Sequence, residues 1–238
     1  MVAKFEREQD AWPVIRWEAL MLGIAAEAGI EVPASQLEEV DGRAVLLMKR
    51  FDRRGTERIP FASALTLVGG VDGGDSSYLD LAGALIQDGA APQSDLEQLW
   101  RRMAFNVMTS NTDDHLRNHG FLRAGPGGWR LSPAFDMNPV PAEAGPRVMS
   151  LALDESGDRT GSLSLVREAA NYFGLSRQRA EAVLQEVAAG VSRWRALAPR
   201  VGLSEADCRH MESAFSEAAA ALKPVTLPGP GRGPGRGL

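Results

Sequence analysis

Apolar residues recur every three to four positions along most of the chain, and this spacing places them on one face of successive amphipathic helices. Pro13, Ser176 and Ser204 stand at predicted helix starts, where proline and serine are favoured. The predicted core positions are Val14, Trp17, Met21, Ile24, Ala28, Leu96, Leu99, Trp100, Met103, Val107, Ala180, Val183, Leu184, Val187, Val191, Trp194, Cys208, Met211, Phe215 and Leu222. The pattern therefore predicts a largely helical chain.

Shorter helices are predicted over residues 59–68 and 78–87. The segment between them contains two glycine pairs, but it has no G-K-[ST] sequence and no preceding strand, so it is predicted to be a plain loop. Ser94 and Glu97 are spaced as a capping box and predict the start of the next helix.

Strands are predicted at three places. Residues 2–5 form a short strand, and the apolar run 44–51 forms a buried one that ends in a turn at 52–55. The sequence GPGG at 125–128 separates two short apolar segments and predicts a β-hairpin. Together with the helices, these strands predict an α+β fold that is mostly α.

A dense polar cluster, NTDDHLRN, occupies positions 111–118. Asp113 and Asn118 are five positions apart, as in the protein-kinase catalytic loop, where the aspartate accepts the substrate hydroxyl proton and the asparagine holds magnesium. Asp136 falls where the metal-binding aspartate of a kinase is expected. Because Asn118 and Asp136 lie at the two open ends of the predicted hairpin, we expect them to be close in space. These residues predict phosphoryl transfer.

A different chemistry is also open to this cluster. Asp113, Asp114, His115 and His119 are of the types that bind transition metals in hydrolases. The chain has only 3 histidines, and no H-E-x-x-H or comparable spacing is present. Tight zinc binding without nucleotide would favour this alternative.

The full strings are more specific than the spacing. NTDDH at 111–115, Asn118, Phe121 and LSPAFD at 131–136 closely resemble the catalytic and metal-binding motifs of the HipA-like serine/threonine kinases, the toxins of bacterial toxin-antitoxin pairs. KRFDR at 49–53 resembles the hinge of the same family. The resemblance extends from about residue 2 to residue 215.

The resemblance implies roles for individual residues. Asp113 would be the catalytic base, Asn118 and Asp136 would bind Mg²⁺, and His115 stands two positions after the base, where many kinases have a lysine. In the nucleotide site, the resemblance assigns ATP phosphates to Lys4 and adenine to the segment from Lys49 to Phe51. Glu18 on the first helix is either the ion-pair partner of Lys4, as in kinases, or a solvated glutamate.

The same resemblance implies a protein-kinase-like fold of two lobes. Residues 1–52 would form a truncated small lobe and the hinge, 53–223 a large helical lobe, and 224–238 a disordered tail. A HipA-like toxin phosphorylates a protein, such as an aminoacyl-tRNA synthetase, and pairs with a HipB-like DNA-binding antitoxin.

One family feature is expected upstream of this sequence. Kinases cover the ATP phosphates with a glycine-rich loop that precedes the lysine strand, and only three residues precede Lys4. This leaves three alternatives to an active lone chain: a fragment of a longer kinase, one half of a split kinase completed by a second chain, or a catalytically impaired module that binds an antitoxin.

Composition limits the partners and the cellular compartment that are expected. The 26 basic and 31 acidic residues give a net charge of 26 − 31 = −5, so no direct nucleic-acid binding is expected. The single cysteine, Cys208, lies on an apolar helical stripe and is predicted to be a core residue in a reducing compartment. No signal sequence and no run of 18 apolar residues is present, which predicts a cytoplasmic protein that does not enter membranes.

Overall fold

The computed structural model describes residues 1–222, and the predicted tail at 224–238 lies outside the described residues. The strands are β1 Val2–Phe5, β2 Ser35–Val40, β3 Arg43–Met48, β4 Arg53–Arg54, β5 Glu57–Arg58, β6 Phe61–Ser63, β7 Gly120–Arg123 and β8 Trp129–Leu131. The helices are α1 Val14–Glu27, α2 Ala64–Leu67, α3 Tyr78–Asp88, α4 Pro92–Met108, α5 Leu163–Ala169, α6 Arg177–Val191, α7 Trp194–Leu197, α8 Glu205–Met211 and α9 Ser216–Ala221. Within the described range, no helix is long and apolar enough to cross a membrane.

An antiparallel sheet with strand order β1-β3-β2 packs on α1. Lys4 of β1 stands opposite Leu46 of β3. Leu46 and Met48 form a small buried cluster with Ile15 and Leu22 of α1. One face of the sheet is therefore fixed to the first helix, and the position of Lys4 relative to that helix is fixed with it.

The central strand is shorter than the predicted run 44–51. It ends at Met48 because the charged residues that follow form a turn instead of extending the ladder. In this turn Asp52 accepts hydrogen bonds from Arg50 at 2.7 and 2.9 Å and from Arg53 at 2.5 Å. Strand β2 was not predicted, because its sequence SQLEEV is mostly polar. It forms a strand by pairing with β3 along its whole length.

The predicted hairpin is confirmed as β7 and β8, and β6 adds a third strand to it. The prediction of a helix over 59–68 is wrong in its first half. Phe61 pairs with Leu122 of β7, and the helix starts only after Ser63, whose side chain accepts a hydrogen bond from the Thr66 backbone N–H. Strand pairing and this N-cap together outweigh the local helical pattern.

Helix α4 runs through the centre of the core. Leu99, Trp100 and Met103 on it are fully buried, as predicted. The predicted capping box is wrong, because the helix begins two residues before Ser94, at Pro92, a position that proline favours. The Ser94 hydroxyl donates instead to the Ala91 carbonyl at 3.1 Å.

The C-terminal helices pack around α4. Ser176 and Ser204 cap α6 and α8 as predicted, and Ser204 forms a reciprocal capping box with Asp207. Cys208 is 2% exposed, which confirms it as a core residue, and burial raises the pKa of its thiol. Leu222 was predicted to be buried, but it is 43% exposed because it follows the end of α9.

Four charged side chains join α4 to α6. Arg179 donates to Glu97 at 2.6 Å and to Glu186 at 3.0 Å, and Arg101 donates to Glu186 at 2.6 Å. The hydrogen bond from Arg179 holds the pKa of Glu97 below its ordinary value. Burial acts to raise the pKa of Glu186, but the hydrogen bonds and charges of Arg101 and Arg179 outweigh it and lower that pKa.

Because both carboxylates have lowered folded-state pKa values, they stabilise the fold above their unfolded pKa, and this contribution disappears as the pH falls through the folded values. The double variant Glu97→Gln/Glu186→Gln should therefore melt at a lower temperature than the wild type at pH 7. The difference should shrink below about pH 4. Thermal melts over this pH range measure it. Glu143→Gln, in an exposed turn, is the control and should match the wild type at every pH.

Candidate active site

A cleft of about 380 Å³ opens where β1, the turn after β3, β6 and the segment after β8 meet. The predicted nucleotide residues Lys4, Lys49 and Phe51 all line it. Phe51 stacks on Phe135 with ring centroids 5.8 Å apart, and its ring lies 6.0 Å from that of Phe61. This nucleotide cleft, as we call it, thus has an aromatic wall with polar groups at its edge, which suits a planar heterocycle that carries a charged tail.

Lys4 connects the cleft to two carboxylates. Its ammonium lies 2.6 Å from Glu18 of α1 and also contacts Asp136. The side chain of Glu18 is only 2% exposed, so its charge requires a partner. Of the two alternatives for Glu18, an ion pair with Lys4 or a solvated side chain, the structure has the ion pair, which holds the lysine at the mouth of the cleft.

Asp136 has a left-handed backbone, with φ at 55°. Residues other than glycine adopt this conformation rarely, and aspartate and asparagine are enriched among those that do. The carboxylate remains 40% exposed and lies on the wall of the cleft beside Lys4. Backbone strain of this kind often accompanies functional sites.

The polar cluster forms a short loop after α4. Asp113 is exposed on this loop. The Asn118 side-chain amide donates to the Asp113 carbonyl at 2.9 Å, and the Asn118 backbone N–H donates to the His115 carbonyl at 2.8 Å. Since the amide nitrogen of Asn118 is used in this way, its oxygen is left as the group that can act as a ligand.

Directly after each of these two residues stands a buried partner. Asp114 follows Asp113 and is 4% exposed, and His119 follows Asn118 and is 2% exposed. His119 Nε2 lies 3.0 Å from the Asp114 carboxylate, which also accepts a hydrogen bond from the Tyr78 hydroxyl of α3. The buried contact between Asp114 and His119 therefore supports the loop on which Asp113 and Asn118 lie.

The network continues into α4. Asn106 donates to the Tyr78 hydroxyl at 3.0 Å, and Asn111 donates to the Asn106 side-chain oxygen at 3.1 Å. Burial acts to raise the pKa of Asp114, but His119 and the hydrogen bonds it receives outweigh this and lower the pKa. Burial and the Asp114 charge raise the pKa of Tyr78 well above its ordinary value, so Tyr78 stays a donor. The Asp114 carboxylate is therefore charged, and Tyr78 and His119 are its hydrogen-bond partners.

The two predicted metal ligands flank the hairpin of β7 and β8. The Ser132 backbone N–H donates to the Gly120 carbonyl at 2.8 Å, with Asn118 two residues before that pair and Asp136 four residues after it. An amide oxygen and a carboxylate are ligands that Mg²⁺ accepts, with water and phosphate oxygens completing its shell. The donor set therefore fits Mg²⁺.

The hydrolase alternative has no such support. Among residues 1–222, no three histidine, cysteine, aspartate or glutamate side chains are close enough to share a metal ion. Asp114 and His119 are buried and bound to one another, whereas Asp113 is exposed.

The sequence matches the model of the HipA-like C-terminal domain over residues 1–195. The chain belongs to the HipA-like C-terminal domain family. Its fold is also similar to that of HipA of Shewanella oneidensis MR-1, solved with HipB and operator DNA, with a TM-score of 0.72 and 17% identity. The match covers 92% of this chain and 57% of that HipA chain, so this family member spans little more than half of it.

A second solved structure has the same fold at a comparable length. It is the proinflammatory kinase CtkA of Helicobacter pylori, with a TM-score of 0.55, 14% identity, and coverage of 92% of this chain and 90% of CtkA. Together with the Shewanella oneidensis HipA structure, this structure confirms the predicted kinase-like α+β fold. None of the curated proteins compared with this family member matches it significantly.

Proposed function

We propose that this chain is an ATP- and magnesium-dependent serine/threonine protein kinase of the HipA type. The observation that carries the proposal is the position of Lys4, which joins the buried Glu18 and the strained Asp136 at the mouth of an aromatic cleft. A buried glutamate that holds a lysine in place is the arrangement that kinases require for ATP phosphates. Membership of the HipA-like family supports the same reaction.

The chain's residues would divide the reaction among them. Phe51 and Phe135 hold the adenine ring and Lys4 the phosphates. Asn118 and Asp136 would hold Mg²⁺, which would neutralise charge on the transferring phosphoryl group. The acceptor hydroxyl oxygen forms a bond to the γ-phosphorus, the bond from phosphorus to the β–γ bridging oxygen breaks, and ADP leaves. The hydroxyl proton passes to the Asp113 carboxylate. His115 follows on the same loop, and its assignment to catalysis stays a proposal.

Partners follow from the family and remain proposals. The HipA of Shewanella oneidensis was solved with HipB and operator DNA, which supports a HipB-like antitoxin as a partner of this chain. The family resemblance favours a translation enzyme, such as an aminoacyl-tRNA synthetase, as the protein substrate. The reducing setting expected from a buried, single Cys208 supports a cytoplasmic location.

A second candidate function is that of a subunit completed by another chain. β1 is an edge strand, and its Val2 and Phe5 are 43% and 63% exposed. The opposite edge, β2, carries Glu38 and Glu39, which discourage pairing with another strand. The open edge at β1 therefore favours a complementing strand beside Lys4.

The test is to incubate the full chain with ATP and Mg²⁺ and to search by mass spectrometry for phosphoserine and phosphothreonine, on the chain itself and on added protein. We expect phosphorylation that EDTA and Asp136→Asn both abolish. Asp41→Asn is the matched control, because Asp41 lies in the exposed β2–β3 turn with φ at 50°, which asparagine also tolerates. Phosphorylation that persists in Asp136→Asn would refute the assigned site. A chain that is active only after addition of a second polypeptide would support the complemented subunit.

A further inference from the structure

A stripe of buried polar residues runs along α4, the helix that leads into the catalytic loop. Asp95, Arg102 and Asn106 are each 2% exposed. At about 100° per residue, their spacing in the sequence places them on one face of the helix. Buried polar groups cost free energy unless they have partners. The stripe is therefore expected to contact polar groups of the elements packed against this face.

Each residue of the stripe contacts a different part of the candidate active site. The Asp95 carboxylate accepts a hydrogen bond from the Leu131 backbone N–H of β8 at 3.1 Å. Arg102 Nη2 donates to the carbonyl of the next residue, Ser132, at 2.5 Å. Asn106 belongs to the network that supports the catalytic loop. One helix face thus contacts both the end of the hairpin and the loop.

The burial of Arg102 is not explained by stability. Its Nε and Nη1 have no hydrogen-bond partner among the described residues. Burial lowers the pKa of Arg102 to about 10, while the charges of Glu31, Asp114 and Asp95 act to raise it, so the side chain is cationic at neutral pH. An apolar side chain of similar size would avoid the cost of burying this charge. The charge and its one paired donor therefore point to a role in the neighbouring site.

Ser132, the residue that Arg102 holds, begins the segment that ends at Asp136. Both backbone polar groups of Ser132 are used, since its N–H donates to the Gly120 carbonyl and its carbonyl accepts from Arg102. Asp136 follows four residues later. A change in the direction of the chain at Ser132 would therefore displace the Asp136 carboxylate, and displacements of about 1 Å are enough to impair a reaction.

We propose that Arg102 is a positioning residue that sets the place of the Asp136 carboxylate relative to the catalytic loop. Its guanidinium holds the Ser132 carbonyl, and its charge offsets that of Asp114, the buried acid beside Asp113. Arg102 does not line the nucleotide cleft, so it acts through these contacts alone. This inference rests on the proposed kinase function, and it adds a buried residue on which metal binding depends.

The variant Arg102→Met tests the inference, because it removes the charge and the donor but keeps most of the side-chain volume. The probe is Mn²⁺, which replaces Mg²⁺ and is measured by electron paramagnetic resonance in titrations of the full chain with ADP present. The dissociation constant of Mn²⁺ should rise by about 10-fold, as for other groups that orient metal ligands from outside the metal shell. Arg102→Lys keeps the charge and a donor, and should bind Mn²⁺ more tightly than Arg102→Met.

The matched control is Arg101→Met. Arg101 is the neighbouring arginine of α4 and is also buried, but it donates to the Ala28 carbonyl and to Glu186, away from the active site. Both methionine variants should lose stability in thermal melts. Only Arg102→Met should lose affinity for Mn²⁺, which a purely structural role would not predict.

The segment itself should stay folded in these variants. The Ala134 backbone N–H donates to the Glu31 carbonyl at 2.7 Å, and Phe135 stacks on Phe51. Should Arg102→Met nevertheless fail to fold, Arg102→Lys is compared with Arg101→Lys, and weaker binding of Mn²⁺ is expected only in the first.

The outcomes separate this inference from the kinase proposal. If Arg102→Met binds Mn²⁺ as tightly as Arg101→Met, or if Arg102→Lys binds it no better than Arg102→Met, the inference is overturned and any kinase activity stands. If the wild type binds Mn²⁺ with ADP but transfers no phosphoryl group, the kinase proposal fails, and the dissociation constants still test Arg102. A wild type that binds no Mn²⁺ would overturn both.

Discussion

Replacing Asp113 with alanine is expected to lower the rate of phosphoryl transfer by a factor on the order of 10² to 10⁴, the usual contribution of a general base. The fold should be unaffected, because the side chain is exposed and only its backbone carbonyl is used, as the acceptor for Asn118. Nucleotide affinity should also be unchanged, since Asp113 does not line the nucleotide cleft.

Three measurements on the purified variant check this result: single-turnover transfer from ATP, binding of ADP with Mg²⁺ by calorimetry, and thermal melting. Only the first should change. Transfer at the wild-type rate would remove Asp113 from the role of base. A large loss of ADP affinity would instead place its carboxylate among the groups that bind the nucleotide.

Replacing the adjacent Asp114 with alanine should instead destabilise the fold. The change leaves the buried Tyr78 hydroxyl and His119 Nε2 without their acceptor. Each buried group left without its hydrogen-bond partner costs about 1–3 kcal/mol, so the two together cost on the order of 3–5 kcal/mol of unfolding free energy. In a chain of this size that corresponds to a melting temperature lower by about 6–20 °C. Chemical denaturation with urea measures the free energy directly.

Tyr78→Phe provides the graded comparison. It removes one hydrogen bond and leaves Asp114 with His119, so its cost should be about 1–3 kcal/mol, smaller than that of Asp114→Ala. If Asp114→Ala has the same melting temperature as the wild type, the buried network does not support the loop. Two neighbouring aspartates would then lack the division of roles that their burial indicates, with one for chemistry and the other for structure.

The sequence predicted the parts of the site that depend on local order. Asn118 and Asp136 could be placed at the ends of a hairpin because GPGG is a strong local turn signal and both strands are short. The cores of α1, α4 and α6 were predicted because each helix carries a long apolar stripe. In both cases the information lies within one element.

The parts that the sequence could not predict depend on distant contacts. Tyr78 and Asp114 are 36 positions apart, and neither has a local pattern that indicates the other. Phe61 and Phe135 complete the aromatic wall from two further segments, and Phe61 lies in a strand where the local pattern indicated a helix. The sequence shows two adjacent aspartates in NTDDH, but it does not show that Asp113 is exposed and Asp114 is buried.

The burial of Cys208 allows unfolding to be followed by the chemical modification of its thiol. Because it is the single thiol in the chain and lies on α8 within the main core, reagents such as dithionitrobenzoate can modify it only when that region opens. Its modification rate therefore follows the opening equilibrium without any engineered label or dye. Applied to the Asp114 and Tyr78 variants, the same colour reaction would show whether loss of the buried network loosens the C-terminal helices or only the loop itself.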